Sequence, residues 1–194
     1  VTRWCSNPTE RTCGFVEWRT ILPPGFVTSK LCGEPGLTLP KAAPTTFWLS
    51  VALSRSERSA RLKGGALVVL DSWALVAFLK NEQPAARIER EWLTSTPAVC
   101  SINLGEVLYL RIRERKEKAA AVEIEMIRRS ATIIDPDWEL VAAAAKFKVK
   151  GGLAYADAFC IATAERLEAP LWTGDPEIID QADDLPCAVV DLRA

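Results

Sequence analysis

Four acidic residues stand where acids are uncommon. Asp71 directly follows the apolar run ALVVL (66–70). That puts it at the carboxyl end of a buried strand, the edge at which open α/β sheets bind ligands. Its ordinary alternative is an N-cap for a helix opening at Ser72. Asp157 has Leu153, Ala154, Cys160 and Ile161 at i±3 and i±4, so it reads as a mid-helix acid on an apolar face. A carboxylate buried there without a partner costs several kcal/mol and requires compensation, most simply from a bound cation. Glu106, flanked by Leu104, Val107, Leu108 and Leu110, points at or beside the core, as a ligand or as a buried hydrogen-bonded acid. Asp175 follows the apolar run PLWTG (170–174) and precedes Pro176, which is also the pattern of a plain N-cap. Asp135-Pro136-Asp137 has the same form and is read as a cap alone.

On a parallel sheet these four positions can converge on one edge. Three or four carboxylates within a few ångström do not all stay ionised without cations. Magnesium or manganese fits, being hard, oxygen-liganded and able to meet a phosphate with its remaining positions. The chemistry such a centre serves is metal-assisted phosphodiester hydrolysis, in which the metal lowers the pKa of a bound water and neutralises charge building on phosphate. The chain has no histidine. This excludes Ser-His-Asp hydrolysis, His-based ribonuclease chemistry and His-ligated zinc, and leaves a carboxylate mechanism intact. The six cysteines (5, 13, 32, 100, 160 and 187) form no C-x-x-C pair and read as small buried thiols.

The elements that must position these acids occupy the second part of the chain. Residues 66–70, 97–102, 131–135, 170–174 and 187–192 read as five short apolar strands. Residues 72–80, 84–95, 103–130 (broken near Lys118), 136–148 and 153–169 read as helices between them. Strand alternating with helix predicts a three-layer α/β/α fold around a parallel sheet of about five strands. Residues 64–194 form that domain.

Residues 1–63 differ. They carry nine Lys/Arg against four Glu and six of the twelve prolines, and they read as an irregular, disordered extension with one short helical stretch over Thr45–Arg61. One expectation for it is a reading frame opened too early at a valine codon; the rival is a genuine extension. No segment reads as a signal peptide or a membrane span, so a cytoplasmic protein is expected. The overall charge of −1 gives no general pull toward nucleic acid.

Four pieces, VVLDSWALVAFL (68–79), SINLGEVLYL (101–110), LAYADAFCIATAERLEAPLWTGDPEI (153–178) and AVVDL (188–192), keep an order and spacing that resembles the PIN-domain ribonucleases, specifically the VapC-like toxins of toxin–antitoxin pairs. The resemblance spans residues 66–192. It implies a Mg²⁺-dependent endoribonuclease (Mn²⁺ substituting), neutralised by a cognate antitoxin and usually a homodimer. It puts the family's acidic quartet, catalytic and metal-binding, on Asp71, Glu106, Asp157 and Asp175. It puts accessory hydroxyls on Ser72 and Thr173. RNA binding needs positive charge, and Arg111, Arg113 and Arg115, just past Glu106, are expected as phosphate contacts; a solvated helix end is their plain alternative. A non-toxin RNA-processing nuclease and a non-catalytic binding module of the same fold are the alternative functions. A dehalogenase-like phosphotransfer domain wants an acid two residues after Asp71, where the chain has Trp73.

Overall fold

The structure, a computed structural model, describes residues 67–95 and 97–194. The expected N-terminal extension, with Cys5, Cys13, Cys32 and the helix over Thr45–Arg61, lies outside the described residues. Five strands, β1 (Val69–Leu70), β2 (Ala98–Cys100), β3 (Thr132–Ile134), β4 (Leu171–Thr173) and β5 (Val189–Asp191), form one sheet in the order β3-β2-β1-β4-β5. Every pairing is parallel, with Val69 opposite Ala98 on one side and Leu171 on the other. Among the described residues there are seven α-helices: α1 (Ser72–Lys80), α2 (Ala85–Thr94), α3 (Ser101–Glu114), α4 (Glu117–Ser130), α5 (Trp138–Lys150), α6 (Tyr155–Arg166) and α7 (Pro176–Ile179). One 3₁₀ turn, Ala182–Asp184, precedes β5.

The two-residue alternation of a strand splits the core into two. Leu70 and Val99 face a layer built from α1 to α4, including Leu75, Phe78, Ile88, Val107 and Ile127. Val69, Ala98 and Cys100 face α5 and α6, with Leu140, Phe147, Ile161 and Ile178. Short strands with no polar face are what a sheet covered on both sides requires. The expected α/β/α fold and its five parallel strands are therefore present.

Several boundaries differ from the sequence reading, each for a local reason. Ser101 and Ile102, read as strand, open α3. The expected break near Lys118 falls at Arg115 and Lys116, both extended, between α3 and α4. Asp135 is not the cap of α5: Asp137 is, its carboxylate accepting from the Leu140 backbone N–H at 2.9 Å. Helix α6 opens at Tyr155, because Gly151 and Gly152 turn the chain at φ 86° and 73° just before it, a conformation that glycine adopts without steric cost. Asp157 is therefore in the first turn of α6 and not mid-helix.

The chain leaves β1 toward one helical layer and β4 toward the other. The β1/β4 boundary is thus a point where the winding reverses, and the crevice outside the carboxyl ends of such strands is where ligands bind in open α/β sheets.

Candidate active site

Asp71 is the residue immediately after β1, and it is 2% exposed. It caps α1: its Oδ1 accepts from the Ala74 backbone N–H at 2.7 Å. Its Oδ2 accepts a short hydrogen bond from the Thr173 hydroxyl at the end of β4. The cap and the strand-end acid are therefore one residue with two oxygens in use. Burial pushes its carboxyl up to about 7 against the two hydrogen bonds, and the charges of Asp175 and Asp157 add to the rise.

Thr173 in turn accepts from the Asp175 backbone N–H at 2.8 Å, so one hydroxyl ties the ends of β1 and β4 together. Asp175 caps α7, its Oδ1 accepting from the Glu177 N–H at 2.8 Å. Gly174 lies under Trp73. A Cβ built there would stand 2.3 Å from the indole ring, so the close approach of ring and backbone excludes any side chain at this position. Asp157 reaches back to the Ala154 N–H at 2.7 Å, a favourable place for an anion at a helix N-terminus. It is nevertheless buried, 7% exposed. Burial raises its carboxyl to about 6, and the charges of Asp175, Glu106 and Glu177 push the same way.

These side chains meet around one cavity of about 250 Å³. Asp71, Glu106, Asp157, Asp175 and Glu177 line it together with Ser72, Trp73, Val76, Leu110 and Ala154; none of these lining residues is basic. All four acids expected from sequence are thus brought to one place. Glu177 is a fifth that sequence reading passed over, since an exposed Glu after a helix-opening Pro is ordinary. Among the described residues, no three acids or thiols are gathered tightly enough to encase an ion by themselves; the carboxylates ring the cavity. The donor set, oxygen only and uncompensated by any cation in the lining, suits a hard divalent cation that retains water.

Ser72 does not touch a carboxylate. Its hydroxyl pairs with Asn103, donating to the Asn103 carbonyl at 3.3 Å and accepting from Nδ2 at 3.2 Å. Asn103 also donates to the Ala156 carbonyl at 3.0 Å, and its Oδ1 is buried without a partner. This residue was not singled out in the sequence, where a polar position in an amphipathic helix carries no signal.

The expected arginine rim is only partly a rim. Arg111 is 1% exposed. Its Nε and Nη2 donate to both oxygens of the buried Glu123 at 2.8 and 3.2 Å. It also pairs with Glu114 at 2.5 Å, and these partners hold its guanidinium above its usual range. It is a bolt between α3 and α4 and is withdrawn from the phosphate-contact set. Arg115 is half-buried and lies 3.4 Å from Glu123. Arg113 is exposed, lies over the Tyr109 ring at 5.5 Å and donates to its hydroxyl at 2.9 Å. Cys100 and Cys160 are buried and free, and burial raises both thiols, as expected of inert core cysteines.

A family model described as "PIN domain" matches residues 68–185. Similar solved structures include VapBC2 from Rickettsia felis bound to a promoter DNA fragment (16% identity, 64% of this chain and 98% of that one, TM-score 0.52). VapBC-1 from nontypeable Haemophilus influenzae matches over 66% of this chain and 99% of that one, at 16% identity and TM-score 0.53. A toxin–antitoxin complex from Klebsiella pneumoniae matches at 18% identity, over 64% and 97% of the two chains, with TM-score 0.52. At these identities the likeness is one of fold. No curated protein matches the sequence.

Proposed function

Because the chain belongs to the PIN-domain family, we propose that it is a metal-dependent endoribonuclease that hydrolyses RNA phosphodiester bonds and serves as the toxin of a toxin–antitoxin pair. The observation that carries this reading is the cavity at the β1/β4 winding reversal, lined by five carboxylates and no cation. Two of those carboxylates are buried and held above the usual range. Asp71, Glu106, Asp157 and Asp175 are the residues that would hold Mg²⁺, or Mn²⁺ in its place. When bound, the metal supplies an activated water and neutralises charge developing on the scissile phosphate.

The chain's own residues set up that chemistry. The Thr173 hydroxyl fixes one oxygen of Asp71 and takes the Asp175 N–H, so the acids at the ends of β1 and β4 are oriented jointly. The Ala154 N–H orients Asp157. Trp73, Val76 and Leu110 give the cavity an apolar wall that strengthens electrostatic interactions beside it. Arg113, with Arg115 at a partly buried position behind it, would contact RNA phosphates. Glu177 is included in the site as a carboxylate facing Asp157.

The toxin role, with a cognate antitoxin as partner, is supported by the family and by the named toxin–antitoxin complexes of the same fold; a homodimer as the working form and the cytoplasm as the place of action belong to the same proposal. No helix among the described residues is long and apolar enough to cross a membrane. Residues 64–194 are proposed as the unit that carries the activity.

The test is cleavage of RNA by the purified full chain. Cleavage is expected to stop with EDTA, to return with Mg²⁺ or Mn²⁺, and to leave 5′-phosphate and 3′-hydroxyl ends. Asp71→Asn and Asp157→Asn each lower the rate by about 10²-fold or more, the scale of one metal-binding charge in the transition state. Undiminished cleavage in chelator, or 2′,3′-cyclic phosphate products, refutes the hydrolytic mechanism. Inactivity on every RNA with either metal refutes the nuclease.

A further inference from the structure

The acid cavity has no basic residue in its lining, whereas an RNA strand carries a phosphate charge at every nucleotide and binds largely through Lys and Arg that meet those charges. Of the three arginines expected on α3, Arg111 and Arg115 are turned to Glu123. Uncommitted positive charge lies on another rim. Helix α5 ends in Lys146, Lys148 and Lys150, all exposed. No ion pair among the described residues includes any of them. The dipole at a helix C-terminus favours a cation in the last turn; three lysines with no acid paired to them exceed that need.

Only residues 151–154 separate α5 from α6, whose first turn holds Asp157. The link is anchored on both sides. The Lys148 ammonium donates to the Leu153 carbonyl. The Gln181 amide donates to the Gly152 carbonyl at 3.3 Å and to the Glu177 carbonyl at 3.0 Å, which ties the turn to α7. Ala154 at the end of the link and Glu177 on α7 both line the cavity. The lysines are thus carried at the edge of the acid site.

Tyr155 opens α6 directly after Ala154 and is 48% exposed. Its ring meets that of Phe159 edge to face, with centroids 4.9 Å apart, and Phe159 is buried in the core. The ring is therefore held in one orientation with about half its surface open. An unpaired nucleobase stacks on such a ring, whereas a base inside a duplex has no free face to offer.

We propose that residues 146–155 form a contact for unpaired RNA at the rim of the acid cavity. Lys146, Lys148 and Lys150 meet backbone phosphates, and Tyr155 stacks on the base of a nucleotide beside the scissile bond. This deepens the nuclease reading above and rests on it for the substrate.

Fluorescence anisotropy with a labelled single-stranded oligoribonucleotide tests the contact. The full chain carrying Asp71→Asn is used in EDTA, so that binding is read without cleavage, and circular dichroism verifies that each further variant is folded. Lys146→Gln with Lys150→Gln is expected to weaken binding by about tenfold at low salt, and to lower the slope of log affinity against log salt by about 0.7 for each lysine removed. Tyr155→Ala is expected to weaken binding by about tenfold with the slope unchanged. Tyr155→Phe restores it, and binding of an RNA duplex does not respond to Tyr155→Ala. Unchanged affinity and slope in the lysine double variant, or unchanged affinity in Tyr155→Ala, overturns the contact, including the case where this rim instead receives the antitoxin. A Tyr155→Phe variant as weak as Tyr155→Ala overturns the stacking, and a parent chain that binds no RNA overturns the whole contact. If the variants weaken binding as expected while the unsubstituted chain with Mg²⁺ or Mn²⁺ cleaves no RNA, the contact stands and the nuclease reading falls.

Discussion

Asn103 touches the immediate neighbours of two of the acids and shares a helix with a third. Its amide donates to Ser72, next to Asp71, and to the carbonyl of Ala156, next to Asp157; Glu106 lies one turn further along the same helix. The Ala156 carbonyl accepts only, so Nδ2 must face it, and Oδ1 is left buried without a partner, at a cost of about 1–3 kcal/mol. That geometry makes Asn103 a positioning residue. Asn103→Ala should weaken Mn²⁺ affinity, measured by calorimetry, by about tenfold, the range for an outer-shell partner. Asn103→Asp should be worse, since it turns an acceptor toward the Ala156 carbonyl. Unchanged metal affinity in both variants would reduce Asn103 to a packing residue. The acids themselves were readable for unequal reasons. Asp71 and Asp175 were visible because apolar strands end at them. Asp157 stood out on an expected mid-helix position, whereas it opens its helix; what makes it unusual is burial at that opening. Glu177 and Asn103 were not readable, because their local sequence is ordinary and only the fold brings them to the site.

At the level of elements, α3 and α4 are held by a buried ion pair. Glu123 is fully buried and receives both Nε and Nη2 of Arg111, while Glu114 links Arg111 to Lys80 on α1. Removing one member of such a pair leaves an uncompensated buried charge. Arg111→Ala should therefore destabilise the chain by about 3–5 kcal/mol in denaturant unfolding. Arg111→Met with Glu123→Leu should lie far closer to wild type. A single variant no less stable than the double would contradict the pairing. The sequence displayed Arg111 as part of a basic run, and its burial was hidden because its partner stands twelve residues away on another helix. The order of the five strands and the longer helices was legible because a sheet covered on both faces makes its strands largely apolar, whereas the four-residue α7 and the 3₁₀ turn after it are too short to show a periodicity. Helix ends were less so: Asp135 and Asp137 flank one proline, and only the backbone geometry decides which of them caps α5.

For the whole molecule, buried acids link stability to pH. An aspartate ordinarily ionises near 3.8, whereas Asp71 holds its proton up to about 7 and Asp157 up to about 6. Between those values the folded chain binds more protons than the unfolded one, so this contribution to stability is full below about pH 4 and is lost as pH rises to 7. Chelator-treated protein should show a melting temperature that falls from pH 5 to pH 8, an effect of a few kcal/mol. Asp71→Asn should flatten the fall, and Mg²⁺ should raise the melting temperature more at pH 8 than at pH 5, because binding needs ionised carboxylates. A fall of equal size in Asp71→Asn would assign it to other groups. The pairing of β1 with β4 has a consequence for synthesis. Asp71 and Thr173, bonded to each other, are 102 residues apart in the chain, and closing so long a loop comes late in folding. A nascent chain that has displayed Asp71, Glu106 and Asp157 still lacks the strand that orients the first and the fourth acid that follows that strand. The ribosome therefore extrudes a chain whose four acids stay apart until β4 and Asp175 have emerged, so the cluster is assembled in one late step and not built up acid by acid.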